Sequence, residues 1–122
     1  MTKVVCVNQA GGCEALDNQF GAGNWQYIGR GGREYGGRFL QRSPVANPYQ
    51  VVNGRRGSTV ERYRQWLWGR IKAGDADVVD CLLEVAKSAA VVCHCPQPGP
   101  CHGHVVVAAA EWLQSEAGQS YR

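Results

Sequence analysis

Three cysteines and three histidines lie in the segment 93–104. Thiolates and imidazoles are good metal ligands and nucleophiles. An apolar run at 89–92 precedes the segment, and apolar residues at helical spacing follow it at 105–113. A strand that leads through a loop into a helix is the place where open α/β sheets bind ligands. We therefore expect the function to depend on this segment, whose chemically active residues are Cys93, His94, Cys95, Cys101, His102 and His104.

The first interpretation of the segment is a metal site. Cys93 and Cys95 are two positions apart, so on a strand they would point to one face, with His94 on the other. Together with Cys101 and one histidine, for which His102 is the candidate, they would form a Cys₃His tetrahedron that suits zinc. The spacing Cys-x-Cys-x₅-Cys-His differs from the familiar Cys-x₂-Cys pairs, and one short loop would have to supply all four ligands.

The second interpretation is a catalytic site without metal. Cys101 would lie near a helix N-terminus, where unpaired N–H groups lower the pKa of a thiol. His102 or His104 would then serve as its base or as a general acid. The third interpretation is structural, with Cys93 and Cys95 as small buried residues and the histidines bonded to helix ends. The residue pattern leaves these three interpretations open.

Two motifs earlier in the chain are candidates for ligand binding. The β-rich run 25–28 ends at Gly29, Arg30 and Gly31, where backbone N–H groups can approach a ligand and the guanidinium can bind phosphate or carboxylate. The spacing is not that of the dinucleotide-binding fingerprint. Asn47, which precedes Pro48, offers its amide to a ligand or forms an Asx turn, and its residue chemistry favours the turn.

The remaining cysteines have simpler explanations. We expect Cys6 to be a core residue on the first strand, Cys13 to be a bystander rather than an accessory ligand, and Cys81 to pack within a helix. The sequence does not say whether Cys6 or Cys13 reaches the main group.

The length and composition predict one globular domain. The chain has 122 residues, of which 44% are hydrophobic and 19% are charged. No apolar run approaches the roughly 20 residues of a membrane span, and no signal-peptide pattern precedes the first strand. We therefore expect no membrane partner and a cytoplasmic protein with reduced thiols, in which a disulfide framework is disfavoured.

Charge is distributed unevenly along the chain. The region from Arg30 to Lys72 carries ten basic and two acidic residues, a local balance of +8, whereas the net charge of the chain is +3 and the remainder therefore carries −5. A basic region of this kind predicts an anionic partner, either a small nucleotide-like ligand or a nucleic acid.

Hydrophobic patterns predict strands alternating with helices. We expect strands at 3–7, 25–28 and 89–95, with loops at 8–24 and from Gly29 to the Pro turns at 43–49. A capping-box pattern at 58–61 predicts a helix that ends at Gly74, and Asp75 caps a second helix. A third helix runs from Cys101 to about Gly118. This order predicts a small, single-domain, three-layer α/β fold over residues 1–122.

These motifs together resemble the DUF4326 family of domains, which occurs in bacteria and phages. The resemblance covers about residues 25–115, and this sequence departs from the family pattern in two ways. His104 replaces the acidic residue that usually follows Cys-His-Gly, and the loop 31–43 is longer, adding Arg33, Arg38 and Arg42. The matching motifs are Tyr-Ile-Gly-Arg-Gly at 27–31, Ala-Asn-Pro-Tyr at 46–49, Tyr-Arg-Gln-Trp-Leu at 63–67, Cys-His-Cys-Pro at 93–96 and Cys-His-Gly-His at 101–104.

The resemblance implies a Rossmann-like α/β fold with flanking helices, and no established reaction. It adds weight to the motif residues Gly29, Arg30, Asn47, Pro48, Cys101 and His102. We therefore expect these residues, together with Gly31 and Gly103, to form a pocket for a nucleotide-like or phosphorylated ligand. Hydrolase or transferase activity is a hypothesis that rests on fold analogy. The alternative is a non-enzymatic protein, either zinc-stapled and bound to nucleic acid through its arginines, or a phage accessory protein acting on a host protein.

Overall fold

The computed structural model describes residues 2–35, 38–49, 58–95, 97, 99 and 101–122. No helix in these ranges is long and apolar enough to cross a membrane. In chain order the elements are β1 (Lys3–Cys6), α1 (Val7–Ala10), α2 (Cys13–Phe20), β2 (Trp25–Tyr27), β3 (Arg33–Tyr35), β4 (Arg38–Leu40), α3 (Val60–Lys72), α4 (Ala76–Lys87), β5 (Ala90–Cys93), α5 (His102–Gln114) and a 3₁₀ helix (Glu116–Tyr121).

A three-stranded parallel sheet forms the centre of the fold. Strand β5 lies between β1 and β2 and is parallel to both. Cys6 pairs with Cys93, and Tyr27 pairs with Val92. All three strands therefore end at the same edge of the sheet, and the chain leaves β5 at that edge toward the cysteine–histidine segment. Strands β3 and β4 form a separate antiparallel pair.

The sheet is covered on both faces. All four residues of β5 are buried, which explains its apolar run without polar alternation. Val91 and Cys93 face a core built with α3, α4 and α5. Ala90 and Val92 face a second core that contains residues of α1, α2 and β4. These two cores on opposite faces of β5 confirm the predicted three-layer α/β architecture.

The prediction of a loop over 8–24 is wrong, because α1 and α2 lie there. The glycines in this range favoured the loop prediction, but in the structure they lie at the ends of the two helices. Gly11 ends α1 in the left-handed conformation, and Gly12 and Gly21, also at positive φ, flank α2. Glycine adopts such conformations without steric cost, so these residues terminate short helices.

Two further local predictions need correction. The region after Gly29 contains the β3–β4 pair rather than a continuous loop. Gly36, Gly37 and residues 50–57, which belong to the basic region, lie outside the described residues.

The capping box is not formed. The N-cap of α3 is Thr59, whose hydroxyl accepts a hydrogen bond from the Asn47 amide at 2.9 Å and makes no cap. The last helix ends at Gln114, and the 3₁₀ helix contains Gly118.

Candidate metal centre and neighbouring motifs

The three thiols of the predicted metal site lie together. The sulfurs of Cys93, Cys95 and Cys101 are all within 4.8 Å of one another, and the Sγ atoms of Cys93 and Cys101 are 3.2 Å apart. Cys93 and Cys101 are buried, whereas Cys95 is partly exposed. Soft thiolate ligands at this separation suit a tetrahedral ion such as zinc.

Two elements of regular structure position these thiols. Cys93 is the last residue of β5, and Cys95 follows two positions later, so both side chains lie on the face toward α5. Cys101 is the N-cap of α5, in an extended conformation, and its sulfur accepts a hydrogen bond from the Gly103 N–H at 3.3 Å. The carboxyl end of the central strand and the N-terminus of a helix thus meet at one point, which stabilises negative charge on sulfur.

The thiols differ in how readily they lose a proton. Hydrogen bonds from Cys101 and Cys93, and then from His102, hold the pKa of the Cys95 thiol far below its usual range. The pKa of Cys93 is raised by its hydrogen bonds with Cys101 and Cys95 and by burial. Hydrogen bonding within the group thus favours the thiolate form of Cys95, which is partly exposed.

His102 lies beside the thiol group and interacts with Cys101 and Cys95, although the set of ligand atoms within 4.8 Å of one another comprises the three sulfurs and no His102 nitrogen. Its Nε2 lies 3.1 Å from the carbonyl oxygen of Ile28, and because a carbonyl only accepts, Nε2 carries a proton. Nδ1 is then the nitrogen available to the sulfurs. Burial lowers the pKa of His102, but hydrogen bonds with Cys101 and Cys95 and with the Ile28 carbonyl outweigh it and raise the pKa to about 9. The ring of Tyr63 packs edge-on against this imidazole at 5.1 Å.

The other two histidines lie elsewhere. His94 points away from the thiols, as the alternation along the strand predicted, and its Nε2 is 2.8 Å from the hydroxyl of Tyr27. That hydroxyl also accepts a hydrogen bond from the Gly31 N–H at 3.1 Å. His104 is exposed on the first turn of α5. The structure therefore brings Cys101 and His102 together, and in the described part of the chain the His104 side chain makes no hydrogen bond to either of them. A catalytic role for these three residues stays a prediction.

Arg30 and Asn47 contact each other's segments. The guanidinium of Arg30 donates to the carbonyl oxygens of Asn47 at 2.9 Å and Tyr49 at 2.5 Å. The Asn47 side chain accepts from the Tyr49 N–H at 2.9 Å across the exposed Pro48, which forms the Asx turn, and donates to Thr59. These contacts tie the Arg30 motif to the segment before α3. Ligand binding by these residues stays a prediction.

The three motif glycines are required by close packing. A Cβ on Gly29 would clash with the ring of Tyr27, and one on Gly31, which has a φ of +63°, would clash with the backbone at Leu40. A Cβ on Gly103 would lie 2.8 Å from Val4 Cγ1, because the first turn of α5 packs directly on the sheet. Their proposed role toward a ligand also stays a prediction.

The remaining cysteines are outside the thiol group, as the residue pattern favoured. Cys6 is buried on β1, and its thiol donates to the carbonyl of His94 at 3.7 Å. Cys13 is buried in the second core. Cys81 packs beside Ser43, and burial raises the pKa of its thiol.

Many arginines of the basic region contact groups within the protein. Arg38 pairs with Asp17 at 2.6 Å, Arg64 with Glu61 at 3.0 Å and Arg70 with Asp75 at 3.6 Å. Arg55 and Arg56 lie outside the described residues. Nucleic-acid binding through this region stays a prediction.

A cleft next to the thiol group was not foreseen from the sequence. It lies between α3 and α5 and has a volume of about 390 Å³. A signal for it existed in the four-residue spacing of Arg64 and Trp68 on α3 and of His104, Ala108 and Trp112 on α5, which places each set on one helix face. The lining residues are Val60, Arg64, Trp68, Cys101, His104, Val105, Ala108, Ala109 and Trp112.

Comparison with known proteins identifies the family. Neither the curated proteins nor the solved structures gave a match. The family model described as Domain of unknown function (DUF4326) matches residues 15–112, which include most of α2 and all the motifs discussed above. This match covers most of the chain and confirms the resemblance, so the chain belongs to the DUF4326 family.

Proposed function

We propose that this domain binds a zinc ion through Cys93, Cys95, Cys101 and His102. The observation that carries the proposal is the convergence of three sulfurs within 4.8 Å at the carboxyl edge of the sheet. Core packing alone does not require cysteine side chains to converge. The other cysteines, Cys6, Cys13 and Cys81, lie outside the group.

His102 is the proposed fourth ligand, and its ring would move toward the three converged sulfurs when the ion binds. A zinc-bound histidine commonly donates its second N–H to a carbonyl or carboxylate, which fixes the ring and the tautomer. The hydrogen bond between His102 Nε2 and Ile28 provides this support, and it directs Nδ1 toward the thiols of Cys95 and Cys101. Three thiolates and one imidazole make a Cys₃His set, which is typical of closed structural zinc sites.

Such a centre would link the end of β5 to the start of α5. Zinc ligands must be deprotonated, so binding releases protons from the thiols and couples metal affinity to folding. The proposed role of the ion is therefore to fix the geometry of the segment 93–104 on the sheet. The expected nucleotide-like ligand would then bind beside the centre rather than to it.

Metal analysis of matched cysteine variants tests the proposal. Cys95 and Cys81 are both partly exposed, but only Cys95 belongs to the thiol group. Protein purified with zinc should contain about one ion per chain, Cys81→Ser should retain it, and Cys95→Ser should lose most of it. Equal zinc content in the two variants, or metal-free wild-type protein that does not take up zinc, would contradict the proposal.

Alkylation provides a second readout on the same samples. In zinc-loaded wild-type protein the thiol of Cys95 should resist modification, and it should become reactive when a chelator removes the ion. Without metal its low pKa and partial exposure make it a good nucleophile. If Cys95 is modified at the same rate before and after chelation, it is not a zinc ligand.

A further inference from the structure

We infer that the cleft between α3 and α5 binds a small aromatic anion, that is, a planar aromatic ring that carries a phosphate or carboxylate group. This inference goes beyond the proposed zinc centre and does not depend on it. It assigns a ligand class to this cleft. The family motifs do not group the residues that line the cleft into one pocket.

The interior of the cleft suits a flat apolar group. Its floor is buried, with Cys101, Val105 and Ala109 each less than 7% exposed. The indoles of Trp68 and Trp112 meet edge to face, with ring centroids 4.8 Å apart, at one end of the cleft. Aromatic rings arranged in this way offer a face or an edge for a further ring. A volume of about 390 Å³ is within the range of small-molecule pockets.

The rim of the cleft suits an anion. Arg64 and His104 are both exposed and line the cleft from opposite helices, and none of the described lining residues is acidic. In the described part of the chain, the His104 ring makes no hydrogen bond. Arg64 pairs with Glu61 across one turn of α3, but both side chains are more than half exposed. Exposed pairs of this kind contribute little, so the guanidinium remains available to a ligand.

The apolar interior and the rim that contains Arg64 together specify the ligand. An apolar ring alone would leave the Arg64 guanidinium without an anionic partner from the ligand, and an inorganic anion would leave the cleft unfilled. A nucleoside monophosphate combines both properties, and so does an aromatic carboxylate, so the experiment needs to separate these sources. The adjoining position of Cys101 connects the cleft to the thiol group.

Binding can be followed by tryptophan fluorescence and by calorimetry with purified full-length protein. The probes are the four ribonucleoside monophosphates, indole-3-acetate, adenosine and inorganic phosphate. We expect saturable binding of a nucleotide or of the aromatic carboxylate, with at least about tenfold weaker binding of the uncharged nucleoside, since a charge-assisted hydrogen bond is lost. Whichever anion binds more tightly identifies the source.

Three variants locate the site. Arg64→Gln should weaken binding about tenfold or more, whereas Arg62→Gln, an exposed arginine of the same helix outside the cleft, should leave it unchanged. Ala108→Leu adds bulk at an exposed position of the lining, so it should block the cleft without disturbing the core. The inference is overturned if no aromatic anion binds at millimolar concentration, if phosphate alone binds equally well, or if Arg64→Gln and Ala108→Leu bind like the wild type.

Discussion

The hydroxyl of Tyr63 gives the sharpest prediction about the core. Tyr63 is completely buried, and its hydroxyl donates a hydrogen bond of 2.5 Å to the carbonyl of Val45. Its ring packs against Trp66 and against His102 of the candidate zinc site. Replacing Tyr63 with Phe keeps both ring contacts and leaves the buried carbonyl without its partner. The expected loss in the free energy of unfolding at neutral pH is about 1–3 kcal/mol.

The pH dependence of that difference tests the environment of the hydroxyl. Burial, followed by the charges of Cys81 and Cys101, raises the pKa of Tyr63 far above its ordinary value. In the unfolded chain the group ionises at about pH 10, so the folded state keeps a proton that the unfolded state loses. The contribution of this group is complete below about pH 10 and falls as the pH rises. At pH 11 the wild type should have lost about 1.4 kcal/mol from this group alone, and Tyr63→Phe nothing.

Urea unfolding of both proteins at pH 7.5 and pH 11 measures the effect. Other groups that titrate in this range are common to both proteins and cancel in the difference between them. The advantage of the wild type over Tyr63→Phe should therefore shrink by about 1.4 kcal/mol at pH 11. Tyr121→Phe, at a position 39% exposed, is the control at pH 7.5 and should cost much less. An advantage that is the same at both pH values would refute the buried environment of Tyr63.

Two further perturbations test the packing around the sheet. Hydrogen bonding and charge from Arg38 lower the pKa of Asp17. The stability that this carboxylate contributes is therefore present above about pH 4 and is lost as the pH falls. In acid unfolding, Asp17→Asn should lose less stability than the wild type between about pH 5 and pH 2. Gly103→Ala should cost about 1–3 kcal/mol because its Cβ meets Val4, whereas Gly69→Ala, in open space within α3, should stabilise by about 0.5–1 kcal/mol. Thermal unfolding compares the two glycine variants, and equal shifts of the same sign would contradict the close approach at Gly103.

The thiol group was predictable because each part of it has a local signal. Alternation along a strand places Cys93 and Cys95 on one face, and the apolar residues after Cys101 mark a helix start. The identity of the participating histidine had no such signal. His102 and His104 are two positions apart on α5. His102 is held inward by the carbonyl of Ile28 and the ring of Tyr63, both far away in sequence, whereas His104 is exposed.

Helix α2 shows how a residue type can mislead. Cys13, Leu16 and Phe20 have helical spacing, and the first two are buried, but the element is only eight residues long and glycines surround it. A window that short contains barely two turns, so periodicity is weak compared with the number of glycines. The glycines favoured a loop over 8–24, and that prediction was wrong. Their precise role, as ends of short helices, depends on backbone conformations that composition does not reveal.

Arg30 and Asn47 illustrate a different limit. A guanidinium after a strand can bind a phosphate or the carbonyl groups of its own chain, and the residue type is the same in both cases. In the folded protein the partners are the carbonyls of Asn47 and Tyr49, more than fifteen positions away. Only the tertiary structure brings these two segments together, so the sequence could mark both motifs without showing that they bind each other.

The absorption spectrum of the cobalt-substituted protein tests the zinc centre most directly. Replacing zinc with Co²⁺ reports both the geometry of the site and the presence of sulfur ligands. The account predicts the intense visible bands of a tetrahedral ion and a strong sulfur-to-cobalt charge-transfer band in the near ultraviolet. Both should disappear on addition of one equivalent of zinc and should be weaker in Cys101→Ser. A weak octahedral spectrum without charge transfer, or the same spectrum in Cys101→Ser, would contradict a site built from the converging thiols of Cys93, Cys95 and Cys101.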